Sequence, residues 1–340
     1  MYRFLRKPVE HPRIQPQDNS ASSLLRAMSG TGYQGKNLGI AADIWTAMLE
    51  SKTTVILGLA GALIPAGMRE IFAYLIENKM VDCIVSTGAN LFHDCHESLG
   101  RCHYQGSHQI DDVQLQAAGV DRIYDIFASE QEFRNTDSFI AEFALGLPSG
   151  APLTTREFMG ELGLAVARAG GHDGLVTSAA RDGVPIYCPA IGDSSIGIAL
   201  GQARLESGKV VMFDVIKDAL ELAQVVDASP QTGVIYLGGG TPKNFIQQAT
   251  IFMPGQQAGH RYAIQITTDS PHWGGLSGCT FEEAQSWGKI LPSAEKVSVH
   301  CDATIAFPIL VSAVVERAAS ILPERARPVF KWLDDGVVVE

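Results

Sequence analysis

The stretch Thr53–Gly67, TTVILGLAGALIPAG, joins an apolar, β-branched run to a glycine-containing turn and a proline. The near-continuous apolar run TTVILGL is typical of a parallel strand that is covered on both faces. Pro65 suits the first turn of a helix, because the backbone N–H that proline lacks has no partner within the helix there. A strand, a turn and a helix in this order indicate the first half of a βαβ unit.

The same alternation continues along the chain. The later apolar runs are VDCIVST, VPIYCPA, KVVMFDV, TGVIYLGG, RYAIQIT and KVSVHCD, and the helical segments include IKDALELAQVVD and TIAFPILVSAVVERAA. We predict a single doubly wound α/β domain over residues 21–340, with a mostly parallel sheet and helices on both faces. Residues 1–20 are expected to form a loosely ordered arm. Ligands of such a sheet bind at the carboxyl ends of its strands.

Composition limits the class of protein. The chain has 340 residues, of which 46% are hydrophobic, and this is enough for a large core. Its net charge of −11 argues against nucleic acid or an anionic membrane as the main partner. No secretion signal is visible, the longest apolar run is too short to span a bilayer, and the six cysteines are scattered. We therefore expect a cytoplasmic protein with reduced thiols.

Two glycine-rich segments follow predicted strands and open predicted helices. They are GLAGALIPAG and YLGGGTPKN, and each would turn free backbone N–H groups and the positive end of a helix toward an anion. Neither is a G-x-G-x-x-G fingerprint or a P-loop. Spacing alone is equally compatible with an anion site and with tight packing of a helix on a strand.

A third segment, HDCHESLGRCHYQGSH, is rich in imidazoles and thiols. Such a density suggests zinc, but the spacing matches no common zinc pattern, and polar loops collect these residue types readily. We therefore interpret the segment as a polar loop and predict no metal. The side chains concerned are His93, Cys95, His96, Cys102, His103 and His108.

The segment TFEEAQSWGKI, Thr280–Ile290, carries a lysine at the end of a short predicted helix. Thr280 and Glu283 form the pattern of a capping box. Lys289 has two interpretations. It suits a helix C-terminus as an ordinary cation, or it is a buried amine, shielded from water by Trp287, that forms an imine.

Six blocks of the chain resemble the deoxyhypusine synthase family in order, and SWGKI resembles the lysine motif of that family. The six are MSGTGYQGKNLG, LGLAGALIPAGMRE, NKMVDCIVSTGAN, VPIYCPAIGDSSIG, LGGGTPKN and HCDATIAFPIL. The resemblance implies a Rossmann-like fold that binds NAD without G-x-G-x-x-G, and a homotetramer with active sites between two subunits. It implies cofactor contacts at Gly61, Ala62, Leu63, Ile64, Pro65, Thr87, Gly88, Ala89, Asp193, Gly239, Thr268, Asp269, Asp302 and Ala303.

The resemblance also implies a chemistry. A polyamine such as spermidine is oxidised to an imine, Lys289 takes over the aminobutyl group as its own imine, and an acceptor amine receives it while the stored hydride returns. Trp287 would bound the aliphatic chain and Glu283 would hold a terminal ammonium. Asn244 falls where the family has a histidine, in the substrate-binding part of the site.

Further departures concentrate on the amine pocket. Ile198, Trp273 and Leu276 stand where the family has carboxylates, and His93 replaces an acidic residue near the cofactor. An unpaired buried ammonium costs several kcal/mol, so the altered pocket indicates another amine. The sequence does not rank His272 and His93 as substitutes for the family histidine.

Three functions follow from these observations. The first is aminoalkyl transfer to a small amine, as in homospermidine synthases. The second is modification of a lysine on the hypusine-bearing initiation factor. The third is a catalytically silent NAD-binding scaffold.

Overall fold

The computed structural model of the chain describes residues 8–13, 17, 19–148, 150–170, 172–252, 259–333 and 336–340. Most of the arm predicted over residues 1–20 lies outside them. Among those described, the Glu10 N–H donates to the Gly30 carbonyl at 2.9 Å. No helix in the described part of the chain is long and apolar enough to cross a membrane.

The strands are β1 Thr54–Leu59, β2 Cys83–Ser86, β3 Tyr104–Gln105, β4 Val120–Ile123, β5 Ile126–Ser129, β6 Ile186–Tyr187, β7 Thr232–Leu237, β8 His260–Thr267, β9 Ile290–His300, β10 Phe330–Leu333 and β11 Gly336–Val339. The helices are α1 Ala21–Met28, α2 Tyr33–Glu50, α3 Arg69–Glu77, α4 Gly88–Ser98, α5 Asp112–Ala117, α6 Glu130–Leu145, α7 Thr155–Arg168, α8 Leu175–Asp182, α9 Ser195–Ser207, α10 Val215–Ala228, α11 Gly240–Ala249, α12 Phe281–Ser286 and α13 Ala303–Arg317. A π-helical turn, Ile64–Met68, precedes α3, and a 3₁₀ turn spans Pro271–Trp273.

The main sheet is parallel and has the strand order β6-β2-β1-β7-β8-β9. After β1 the chain builds outward through β2 and β6, and then returns to the other side of β1 for β7, β8 and β9. The strand order therefore reverses between β1 and β7. A crevice opens at such a point, at the carboxyl ends of the strands, and it is where α/β sheets bind ligands.

Both faces of the sheet are covered, as the apolar runs predict. Side chains of β1 alternate between two buried clusters: Val55, Leu57 and Leu59 belong to one, and Ile56 to the other. On the first face Phe307 of α13 stacks on Trp45 with ring centroids 6.1 Å apart. On the second face the helices α10, α11 and α12 supply the apolar cover. The predicted Rossmann-like α/β fold is confirmed.

Two local predictions are wrong. KVVMFDV is not a strand: only Phe213 makes a bridge, to Leu153, and Val210 and Met212 are 43% and 44% exposed. Among the described residues this apolar run has no neighbouring strand to complete a ladder, and its last two residues already start α10, with Asp214 as the cap and Val215 as the first helical residue. The histidine-rich segment is not a loop, because it forms α4 and leads into the antiparallel sheet β3-β5-β4.

Candidate active site

Asn90 joins the loops that follow β1 and β2. Its buried Oδ1 accepts from the N–H groups of Leu63 at 3.2 Å and Ile64 at 3.3 Å. Its Nδ2 donates to the Gly61 carbonyl at 2.6 Å and to Thr87 Oγ1 at 3.2 Å. Two groups of predicted cofactor residues, 61–65 and 87–89, are thereby held together. Asn90 did not stand out in the sequence, although it ends the block NKMVDCIVSTGAN.

The glycines after β7 are pressed against the loop that precedes α12. The Gly240 N–H donates to Ser277 Oγ at 2.9 Å, and a Cβ on Gly239 would lie 2.4 Å from the Ser277 Cα. Gln265 Nε2 donates to the carbonyls of Gly238 at 2.8 Å and Ser277 at 2.7 Å. Here the glycine serves close packing of two backbones, and no larger residue fits at 239.

The remaining predicted cofactor residues lie at the same edge of the sheet. Asp193 follows β6 and is exposed, and its neighbour Ser194 is so close to Gly88 that a Cβ there would lie 2.4 Å from Oγ. Thr268 and Asp269 follow β8. Asp302 follows β9 and caps α13 by accepting from the Thr304 N–H at 2.7 Å. Each group therefore ends a strand of one six-stranded sheet, and together they form what we call the cofactor edge.

Lys289 lies in a separate group of side chains. Its Nζ is 3.5 Å from Asn244 Oδ1 and 5.5 Å from the centre of the Trp287 ring. Helix α12 ends before it through Gly288, whose φ of 74° suits glycine. The Thr280 hydroxyl accepts from the Glu283 N–H at 3.1 Å. We call Asn244, Glu283, Trp287 and Lys289 the amine cluster.

The amine cluster is more open to solvent than the predicted buried amine requires. Lys289 is half-buried, but the Trp287 indole is 64% exposed and shields only one side of it. The backbone of Lys289 lies at the amino end of β8, where its carbonyl accepts from the His260 N–H at 3.1 Å. The cofactor edge lies at the other end of that strand. Within a single chain, the cofactor edge and the amine cluster are connected by the loop that precedes α12.

The fully buried amine of this region is Lys243, which the sequence analysis missed. It is 1% exposed, and its Nζ donates to Gln265 Oε1 at 2.9 Å and to the Cys279 carbonyl at 2.5 Å. Burial lowers the pKa of Lys243 to about 8. The positive charge of Lys289 adds to this lowering, whereas the negative charges of Glu283 and Asp269 oppose it. Lys243 therefore lies between the cofactor edge and the amine cluster, next to Asn244 in the block LGGGTPKN.

The side chains that depart from the family pattern are mostly exposed. Ile198 is 56%, Trp273 80% and Leu276 45% exposed, and His272 contacts Trp273 edge-on with 6.4 Å between ring centroids. A cavity of about 640 Å³ lies at the amino end of β1, where Thr54 lines it, and no residue of the cofactor edge or the amine cluster contributes to its lining. Within the described ranges, no three His, Cys, Asp or Glu side chains are grouped to hold a metal ion.

Comparisons with known proteins show the family to which the chain belongs. A family model for deoxyhypusine synthase matches residues 23–314. The chain is 52% identical to "Probable deoxyhypusine synthase 2" of Methanosarcina mazei, with 94% of this chain and 93% of that protein covered. It is 40% identical to "Probable deoxyhypusine synthase 1" of the same organism, with 92% and 96% covered.

A crystal structure of an Entamoeba histolytica protein assigned to the deoxyhypusine synthases has the same fold. The TM-score is 0.63 at 21% identity, and 89% of this chain and 96% of that one are covered. The matched range contains every strand of the parallel sheet, the cofactor edge and Lys289. The chain therefore belongs to the deoxyhypusine synthase family.

Proposed function

We propose that this chain is an NAD-dependent transferase that moves an aminobutyl or related aminoalkyl group from a polyamine to a small amine, through an imine on Lys289. The observation that carries the proposal is the amine cluster, in which a half-buried lysine amine lies beside an amide and an indole. An amine in this setting can act as a nucleophile toward an imine carbon.

The cofactor edge fits a dinucleotide. Helices α4 and α11 begin there, and their positive ends face the edge. Helix α4 has no side-chain hydrogen bond at its N-cap, so N–H groups of its first turn can bind a pyrophosphate, whereas in α11 the Gly240 N–H already donates to Ser277 Oγ. The exposed carboxylates of Asp193 and Asp302 suit ribose hydroxyls. When bound, the nicotinamide would accept a hydride from the substrate and later return it.

The residues of the amine cluster have separate roles in this proposal. Lys289 attacks the imine carbon of the oxidised substrate, forms its own C–N bond and releases the first amine. Glu283 holds a distant ammonium of the chain, and Trp287 lies along the methylene groups. The Asn244 amide orients the Lys289 amine without taking its proton.

We further propose that the site is completed by a second copy of the chain within a homotetramer. Trp287 is 64% exposed and Lys289 only half-buried, whereas imine chemistry requires water to be excluded. Burial of the exposed Ile198, Trp273 and Leu276 against a partner would supply that exclusion.

The small-amine acceptor is supported by the side chains that depart from the family pattern. Apolar side chains at 198, 273 and 276 cannot neutralise a highly charged amine, so a ligand with fewer ammonium groups fits better. In addition, M. mazei holds two family members, and this chain is more similar to the second of them. Modification of a protein lysine, and a silent NAD-binding scaffold, are the alternatives.

An imine trap tests the proposal. The protein is incubated with NAD and a panel of labelled polyamines, reduced with borohydride and mapped by mass spectrometry. An adduct on Lys289 supports the carrier mechanism, and its mass identifies the transferred group. Lys296→Arg, on β9 nearby, is the matched control and should label normally. NAD binding with no adduct from any amine would favour the scaffold.

A further inference from the structure

Three side chains form a hydrogen-bonded chain beside the cofactor edge. His93 Nδ1 lies 2.9 Å from His103 Nε2, and His103 Nδ1 lies 2.6 Å from Glu97 Oε1. The His103 side chain is 4% exposed and that of Glu97 is 24% exposed. Phe133 of α6 packs against both imidazoles, with centroid distances of 5.5 Å and 6.0 Å.

Helix α4 places this chain of groups close to the predicted cofactor contacts. His93 follows Ala89 by four residues, so the two lie on the same side of the helix, one turn apart. Ala89 is exposed and His93 is half-buried, whereas His96, on the next turn, is fully buried. The imidazole of His93 is thus the end of the chain that is nearest to the cofactor edge and open to a ligand.

The hydrogen bonds fix the tautomers. A carboxylate only accepts, so His103 must donate to Glu97 from Nδ1, and a neutral His103 then accepts at Nε2. His93 must therefore donate from Nδ1, which leaves the lone pair on its Nε2. This is the way in which a carboxylate orients a histidine that acts as a base.

The surroundings keep His93 uncharged. Burial, assisted by the neighbouring imidazoles of His103 and His96, lowers the pKa of His93 to about 3. His96, whose Nδ1 lies 3.0 Å from Thr136 Oγ1, is lowered to about 4, mainly by burial. Arg101 bonds the same hydroxyl at 2.8 Å, and Arg69 lies 3.9 Å from Glu97 and 3.3 Å from the buried Asp94. His93 is therefore held as a neutral imidazole, with its Nδ1 hydrogen-bonded to His103.

We infer that His93 is the base of the amine oxidation, and that His103 and Glu97 are positioning residues that hold its tautomer and store the proton. This inference rests on the proposed function. The secondary ammonium of the substrate gives one proton to His93 Nε2. With NAD bound at the cofactor edge, the adjacent carbon would lose a hydride to it, which would leave the C–N bond as an iminium. The Nδ1 proton of His93 passes to His103 Nε2, and every transfer reverses when the product imine is reduced.

Two variants and one control test the inference in the full-length protein. His93→Gln cannot accept a proton and should slow single-turnover formation of reduced cofactor by ~10²–10³-fold, as for loss of a general base. Glu97→Gln should shift the pH dependence of that step and restore part of the rate at higher pH. His272→Gln should leave both unchanged. Melting temperature and NAD affinity, unaltered in all three, separate a chemical from a structural effect.

The possible outcomes are distinct. No Lys289 adduct in the unmodified protein would overturn the proposed function and the role of His93 together. The role of His93 alone would be overturned if the unmodified protein formed the Lys289 adduct and His93→Gln reduced the cofactor at a rate within about twofold of the unmodified protein. ¹⁵N spectra of histidine-labelled protein test the tautomer independently of turnover: an unprotonated Nε2 on His93 is expected, and an unprotonated Nδ1 would contradict the relay.

Discussion

Lys289 Nζ and Asn244 Oδ1 lie 3.5 Å apart, and this pair contains one amine and one amide but no group that can carry a proton away. An asparagine accepts a hydrogen bond from a lysine, yet it does not titrate. In the proposed reaction Asn244 therefore orients the Lys289 amine without taking its proton, and another group must accept that proton. His93 of α4, which is hydrogen-bonded to His103, is the group that we propose for the proton of the oxidation step.

Replacement of Lys289 by arginine should abolish the borohydride-trapped adduct and lower turnover by at least ~10³-fold, because a guanidinium does not form an imine. The measurement is mass mapping of the trapped protein together with steady-state turnover. NAD affinity should stay within about twofold of the unmodified protein, because Lys289 lies away from the cofactor edge. A variant that retained the adduct at another lysine would assign the carrier role elsewhere.

Replacement of Asn244 by histidine should place a titratable group beside the nucleophile. The rate of adduct formation should then rise with pH through about 6.5, because neutral imidazole accepts protons and imidazolium does not. The test compares pH–rate profiles of Asn244→His and the unmodified protein. Asn244→Gln keeps an amide, so its pH–rate profile should show no new rise near pH 6.5. The same rise in both variants would mean that it does not come from the imidazole.

Lys243 should make the stability of the protein depend on alkaline pH. Burial lowers its pKa from 10.5 in the unfolded chain to about 8 in the folded one. Between these values the unfolded chain binds more protons, so the free energy of unfolding rises with pH, by ~3 kcal/mol at most. The neutral amine still has two N–H donors for Gln265 and Cys279. Denaturant unfolding between pH 7.5 and 10.5 measures the slope, and Lys243→Met should lack it.

Replacement of Asn90 by alanine should lower the free energy of unfolding by ~2–4 kcal/mol, because four hydrogen bonds are lost and buried N–H groups lose their partner. NAD affinity should fall as well, since the loops after β1 and β2 would no longer be tied together. Asn78→Ala is the matched control: it removes one exposed hydrogen bond, to the Tyr74 carbonyl at 2.9 Å. Equal losses in both variants would contradict a special role for Asn90.

The parallel sheet was predictable because its strands are buried on both faces and read as continuous apolar runs. The run VILGL in β1 is an example, with every residue of the strand buried. KVVMFDV misled because an apolar run indicates a strand only where a neighbour exists to pair with it. Periodicity does not show whether that neighbour is present.

The candidate site was only partly predictable. The cofactor edge could be predicted from the glycines and polar residues that follow the apolar runs, because it consists of the residues at the strand ends. Lys243 did not stand out, and His93 and His103 were noticed without their pairing, because both features depend on which side chains the fold brings within 3 Å. The openness of Trp287 also differs from the predicted shielding, since the sequence does not show what surrounds an indole.

The pairing of β1 has a consequence for the order in which the chain folds. Thr54 pairs with Thr232, so the central strand acquires its second neighbour only after more than two thirds of the chain is available. Pairs so distant in sequence close slowly. During synthesis, β1 and β2 are present before β7, so the edge of β1 that pairs with β7 stays unpaired. An unpaired apolar strand edge is prone to aggregation. The crevice proposed for the dinucleotide lies at this late junction, so a ligand bound there would stabilise a newly made chain only after its C-terminal half has emerged.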